Sequence, residues 1–358
     1  MRRHSLTQAP ADWIWCLCER YHFAVTKDLG PATAAGLLTA FLTLSAAAHA
    51  AQAQEKIILE SASYADLRQL VTQPGSGSKV DVPAQLDFPA DGKGKYPAVV
   101  IVHTLGGYQE SNEGWHAVEF RMAGFASLTY DSFGARKVDA LRAAGARPGD
   151  FASGVADAYA ALRSLAANPR IEPDHVAIVG FSFGGEVTHL AAFETLRRTL
   201  AGEQRFAALV SFYPAGVYAP RAEAGAYTGQ PVLMLLGDRD TNLPLDKVNG
   251  FLRYEQTLNP SFPVQVRVYE GALHAWTVAS VGPARFYPQY GSTRRCPYIL
   301  LGRSGPGLLV DGKEAPFDPG VIDACLRMAQ GYSMGYDANL RRKSADDAIA
   351  FVKQVLRR

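Results

Sequence analysis

From residue 97 onward the apolar positions alternate between short solid runs and longer helical spacings. Residues 97–103 (PAVVIVH) form an uninterrupted apolar run, the pattern of a strand covered on both faces in a parallel sheet. A helical stretch at 115–122 and a second strand at 125–131 (FASLTYD) follow. Phe151, Val155, Tyr159, Leu162 and Leu165 then recur at helical spacing, which predicts a helix over 150–167. The same reading gives a strand at 175–180, a helix at 184–199, strands at 206–213 and 231–237, a helix at 245–257 and a last strand at 264–269. A closing helix is expected from Ser344, with Asp347 completing a capping box, to Leu356. Ahead of this rhythm, 56–73 and 80–88 read as a β-rich lead-in, broken by Pro74-Gly75-Ser76-Gly77.

Alternating strands and helices imply right-handed crossovers and a doubly wound, mostly parallel sheet flanked by helices. Residues 280–332 break the rhythm. They are rich in Gly and Pro, with a hairpin signal at Asp311-Gly312 and a short helix at 321–329, and read as an insertion or lid between the last strand and the last helix. The expected organisation is a targeting segment over 1–50 and a single domain over 51–358.

The targeting segment rests on residues 30–54, which contain no Asp, Glu, Lys or Arg, and on the apolar core at 36–48 (GLLTAFLTLSAAA). Ala48-His49-Ala50 then supplies small residues at the two positions a signal peptidase reads. The core is too short and weakly apolar for a span, so no stable membrane helix is expected after processing and the mature chain is expected to be periplasmic or secreted. A start at Val25 would shorten the leader and leave Lys27 as its positive charge; residues 1–24 would then not be translated, which a GTG codon at this position would decide. After cleavage only Cys296 and Cys325 remain, and an oxidising compartment predicts that they form a disulfide within the insertion. Cys16 and Cys18 lack the partners of a zinc site, and no metal site is expected.

Composition narrows the partners. Hydrophobic residues make up 48% and charged residues 20%, as in a globular enzyme. The 36 basic and 34 acidic side chains leave a net charge of +2 with no basic run, which argues against nucleic acid as a partner.

Gly180-Phe181-Ser182-Phe183-Gly184-Gly185 directly follows a predicted strand and opens a predicted helix. Glycines two before and two after the serine permit the tight turn that lifts a nucleophilic hydroxyl out of the sheet. Ser182 needs a base, and His274 follows the last strand in Gly271-Ala272-Leu273-His274. His116, His175 and His189 fall on or beside helices or at a strand start, where packing or solvation explains them, and His103 ends a strand and organises its loop. The third member must hold the imidazole tautomer. Leu236-Gly237-Asp238-Arg239-Asp240 offers two carboxylates, and Asp240 is preferred to Asp238, a loop cap, because the α/β-hydrolases that such a Gly-x-Ser-x-Gly turn resembles usually place the acid three residues past the strand-ending glycine. The chain order Ser182, Asp240, His274 is the α/β-hydrolase order. Oxyanion donors are expected at the amides of Phe183 and of Leu105 in His103-Thr104-Leu105-Gly106-Gly107. Arg136, Phe133, Tyr108 and Trp276 are candidate substrate contacts, Arg136 for a carboxylate.

On these residues, together with Asp131-Ser132-Phe133-Gly134-Ala135-Arg136, the chain resembles the dienelactone hydrolase family over about residues 97–276 plus the last helix. The resemblance implies cofactor-free hydrolysis of small-molecule esters or lactones. The founding members use cysteine where this chain has Ser182, and glutamate where it has Thr104, so a broader carboxylesterase is expected. Two other readings share the scaffold: a serine peptidase of the prolyl-oligopeptidase type, for whose β-propeller the lead-in is too short, and a non-catalytic binding module, against which the complete triad weighs.

Overall fold

The runs read as strands over 97–103, 125–131, 175–180, 206–213, 231–237 and 264–269 lie in one eight-stranded sheet. The computed structural model describes residues 54–357 except 93, 139–147, 222–224, 259 and 261; the targeting segment read at 1–50, with Cys16, Cys18 and Val25, lies outside those residues. Strands β1 (Gln54–Ser63) and β2 (Ser78–Asp87) form an antiparallel hairpin arm. The parallel part consists of β3 (Tyr96–Val102), β4 (Ala126–Tyr130), β5 (Ile171–Phe181) and β6 (Ala208–Phe212). After the three-residue β7 (Tyr218–Pro220), β8 (Val232–Gly237) and β9 (Val264–Tyr269) complete it. The order is β1-β2-β4-β3-β5-β6-β8-β9, with only β1 and β2 antiparallel to their neighbours.

Pleating explains why the central strand β3 carries no alternation in the sequence. Val100 and Val102 of β3 point into one apolar layer and Val99 and Ile101 into the other, all at most 1% exposed.

Between β1 and β2 lies a helix the β-rich reading missed, α1 (Leu67–Thr72). Asp66 caps it by accepting from the Gln69 N–H, and the Gln69 side chain accepts in return from the Ala65 N–H, while Leu67 and Leu70 are buried. Helix α2 (Trp115–Met122) covers the β3–β4 crossover, and α3 (Pro148–Ala167) the β4–β5 crossover. The helix expected over 184–199 is two: α4 (Phe183–Leu190) and α5 (Glu194–Ala201). The chain at 226–228 separates them, its backbone bonding Ala192 and Glu194, an interruption that no local propensity encodes. Helix α6 (Leu245–Leu258) precedes β9.

Residues 280–332 hold more regular structure than their Gly and Pro content suggested, because those residues cut it into short strands. Strand β10 (Arg285–Gly291) later pairs with β14 (Gln330–Met334). Between them β11 (Tyr298–Gly302), β12 (Gly305–Val310) and β13 (Lys313–Pro316) extend β7 into a four-stranded sheet. Asp311 and Gly312 turn β12 into β13 at φ 50° and 75°, the two left-handed positions of a type I′ hairpin. Helix α7 (Pro319–Met328) follows, and a disulfide joins its Cys325 to Cys296 ahead of β11.

The closing helix α8 (Ala338–Leu356) starts earlier than expected. Its cap is Asp337, which accepts from the Asn339 and Leu340 amides. The capping box expected at Ser344 is absent: Ser344 sits mid-helix, with its hydroxyl donating to the Arg341 carbonyl and accepting from the Trp276 indole N–H.

Candidate active site

The turn from β5 into α4 puts Ser182 at φ 52°, ψ −106°, a left-handed backbone that is strained for a residue with a Cβ. The Ser182 amide is held by the Phe212 carbonyl of β6 at 2.9 Å. The flanking glycines are required by contact. A Cβ on Gly180 would lie 2.0 Å from the Gly184 carbonyl oxygen, and one on Gly184 would lie 2.3 Å from the Val102 carbonyl oxygen. Only a chain without side chains there lets α4 start this close to the sheet.

The loops after β8 and β9 bring the other two residues to this turn. Ser182 Oγ lies 2.8 Å from His274 Nε2, and His274 Nδ1 lies 2.7 Å from Asp240 Oδ2. His274 is 1% exposed and Asp240 4%, so water competes little for these bonds. The other carboxylate oxygen of Asp240 accepts from the Asn242 and Leu243 amides at 2.8 and 3.2 Å, which fixes its plane. Asp238 instead accepts from the Gly271 amide at 2.7 Å, tying the acid loop to the histidine loop. Of the two carboxylates, Asp240 therefore meets His274 and Asp238 does not.

Phe183 is the first residue of α4, where an N–H has no acceptor within the helix. Leu105 borders the opening beside Ser182, in the loop that follows β3. His103 braces that loop. Its Nδ1–H donates to the Thr104 carbonyl at 2.6 Å and its Nε2 accepts from the Ser132 amide at 3.1 Å. Burial pushes the His103 pKa down, in keeping with that neutral tautomer.

Ser182 and His274 open into a cavity of about 320 Å³, small-molecule size. Its outer wall comes from the 280–332 segment, through Arg285, Tyr287, Tyr290 and Tyr332. Sequence reasoning singled out none of these four, since nothing local distinguishes them from other aromatic or basic residues.

The four side chains expected to touch substrate lie elsewhere. Arg136 grips the buried Asp157 with two N–H groups at 2.7 and 2.8 Å and also donates to Ser63 Oγ and the Ser132 and Ala62 carbonyls. A guanidinium so committed braces the β1 arm against α3. Phe133 is a core ring, 3% exposed, packed on His103 and Phe183. Trp276 is fully buried against Tyr213 and Tyr269. Tyr108 turns away from the cavity and donates its hydroxyl to Glu110 at 2.6 Å. Among the described residues no cluster of His, Cys, Asp and Glu has the arrangement of a metal site, and no helix is long and apolar enough to cross a membrane.

The sequence model of the dienelactone hydrolase family matches residues 83–290, more than half of the chain. No curated protein matches the sequence. Among solved structures, a dienelactone hydrolase-like promiscuous phosphotriesterase from metagenomic libraries aligns with a TM-score of 0.52 at 21% identity, covering 85% of this chain and 99% of its own. An alpha/beta hydrolase enzyme from a Medee basin deep-sea metagenome library aligns over the same shares at 15% identity and a TM-score of 0.46. A thermophilic esterase of the Planctomycetes species Thermogutta terrifontis reaches 17% identity and a TM-score of 0.41, over 55% of this chain and 79% of its own. At these identities the first likeness is one of fold.

Proposed function

The chain belongs to the dienelactone hydrolase family, and we propose that it is an exported serine hydrolase that cleaves small carboxylic esters or lactones through an acyl-enzyme on Ser182. The observation that carries this reading is the 2.8 Å contact of Ser182 Oγ with His274 Nε2, at the mouth of a cavity and backed by Asp240.

The chemistry follows from those contacts. His274 Nε2 takes the hydroxyl proton as Ser182 Oγ attacks the ester carbonyl carbon. Asp240, accepting at Nδ1–H, holds the imidazole in the tautomer that leaves Nε2 free and stabilises the imidazolium that forms. The negative charge that develops on the carbonyl oxygen is met by the Phe183 and Leu105 amides. Collapse of the tetrahedral intermediate breaks the bond to the alkoxy oxygen, which leaves with the proton from Nε2. Water, deprotonated by the same nitrogen, then releases the acid and restores Ser182.

Assay on p-nitrophenyl esters of graded length and on a lactone, with a fluorophosphonate probe, tests the reading. Labelling of Ser182 alone is expected, and Ser182→Ala should lose turnover by on the order of 10⁶-fold while staying folded. Labelling at another residue, or a variant with wild-type rate, would overturn it.

Export is supported by the apolar run at 36–48, by Ala48-His49-Ala50 and by the disulfide. A mature protein beginning at Ala51 is the expected result of N-terminal sequencing. Retention of residues 1–50 in the mature protein would remove the export reading.

A further inference from the structure

Glu113 is fully buried, lies outside the Ser-His-Asp geometry, and serves the loop expected to donate to the oxyanion. It stands in a single π-type turn, Glu110–Gly114, just ahead of α2. Its Oε1 accepts from the Thr104 amide at 3.1 Å and from the Asn112 side-chain amide at 2.9 Å, and its Oε2 accepts from the Gln109 amide at 2.9 Å. Both ends of the 104–109 loop are thus tied to one carboxylate. Inside the loop, the Gly106 amide donates to Thr104 Oγ1 at 3.2 Å and the Gly107 amide to the Thr104 carbonyl at 3.1 Å. Of the amides at 104–107, only that of Leu105 has no acceptor among the described residues, and Leu105 borders the cavity beside Ser182.

We infer that Glu113 is the positioning residue of the oxyanion site: by accepting from Thr104 and Gln109 it holds the loop in the one conformation that leaves the Leu105 N–H aimed at the substrate carbonyl. This rests on the proposed serine hydrolase reading. A bare loop would turn that amide toward water or another acceptor, and donors contribute most when their direction is set before charge develops.

The protonation state matters because only the carboxylate offers full acceptors to both amides. Burial pushes the Glu113 pKa up to about 7, with the hydrogen bonds from Asn112, Gln109 and Thr104 opposing that rise. Around it stand Tyr108 of the same loop, His116 of α2, Tyr213 after β6 and Arg341 of α8, which reaches the turn through the Ser111 carbonyl. His116 is held neutral by burial, its pKa lowered to about 3, and burial keeps the Tyr213 phenol protonated, so neither titrates with Glu113 near neutrality. As pH falls through about 7, Glu113 takes a proton, one oxygen becomes a hydroxyl, and the loop loses an anchor. Activity is therefore full above this range and falls toward the level of a neutral side chain below it.

The test compares wild type and Glu113→Gln on p-nitrophenyl acetate across pH, with fluorophosphonate labelling of Ser182 and a thermal melt alongside. The variant should lose about 10- to 100-fold in kcat, at or below the cost of deleting an oxyanion donor. Its KM should stay within about twofold, as for an interaction realised only in the transition state. Wild-type kcat/KM should show a step near pH 7, where Glu113 takes its proton, and the variant should lack that step. A folded variant with wild-type kcat overturns the inference while labelling of Ser182 leaves the hydrolase reading standing. Should the variant not fold, a wild-type profile without a step near pH 7 overturns it equally. A wild type that neither labels nor hydrolyses removes both.

Discussion

Tyr332 sets its ring edge-to-face against the His274 imidazole, with centroids 5.1 Å apart and planes at 81°. Tyr213 makes the matching contact from the other side, at 5.1 Å and 68°, with its hydroxyl tied to Thr277. Tyr213 directly follows β6 of the main sheet, whereas Tyr332 arrives on β14 from the inserted segment. That strand is bonded to the histidine loop through the Gly335 amide and the His274 carbonyl at 3.2 Å. The insertion is therefore part of what orients the His274 ring.

Removing the Tyr332 ring should loosen the imidazole. An aromatic pair contributes about 0.5–1.5 kcal/mol beyond its buried area, so Tyr332→Ala should lower kcat by about 2- to 10-fold on a short acetate ester. Tyr332→Phe keeps the ring and should stay near wild type. Equal losses in the two variants would mean that the hydroxyl, rather than the ring, is what counts.

The two carboxylates after β8 should separate cleanly in kinetics. Asp240→Asn presents an amide N–H₂ or a neutral oxygen to His274 and should cost about 10⁴-fold in kcat through the wrong tautomer. Asp238→Asn touches only the Gly271 amide and should leave kcat within about tenfold, the scale of one lost hydrogen bond. A dead Asp238 variant beside an active Asp240 variant would reverse the assignment.

Arg136 should prove a stability residue. Arg136→Met leaves Asp157, whose side chain is fully buried, without its bidentate partner, and breaking such a pair costs about 3–5 kcal/mol. Chemical denaturation should register that loss, and adding Asp157→Asn should recover part of it. The KM of the folded enzyme for a carboxylate-bearing ester should not move, because the guanidinium faces the β1 arm and not the cavity.

Closing the segment between Cys296 and Cys325, 29 residues apart, stabilises the folded state by about 3–4 kcal/mol in the chain-entropy model. Reduced protein, or a Cys296→Ser and Cys325→Ser pair, should melt at a lower temperature. Non-reducing mass spectrometry should recover the cross-linked peptide pair. Two alkylatable thiols in the native protein would mean that the bridge does not form.

What the sequence determined by itself follows from short-range rules. Solid apolar runs require strands covered on both faces, so β3, β6 and β8 were legible to within two residues at each end, and the alternation of β9, an exposed edge strand, marked it as well. Gly-x-Ser-x-Gly-Gly at a strand end could be read as a turn because glycine alone tolerates the contacts at Gly180 and Gly184. The step from Gly237 to Asp240, and the place of His274 after the last strand, came from the family resemblance and not from such rules. The rest depends on groups far apart in the chain. Asp157 took Arg136 from the cavity, Ser344 took the Trp276 indole into the core, and the strand at 330–334 brought Tyr332 onto His274. Glu113 reads as one more acidic residue before a helix until the loop at 104–109 folds over it. A periodicity reports which face of an element is buried, but a charge or ring finds its partner only when distant segments pack, and that pairing is decided by the tertiary structure.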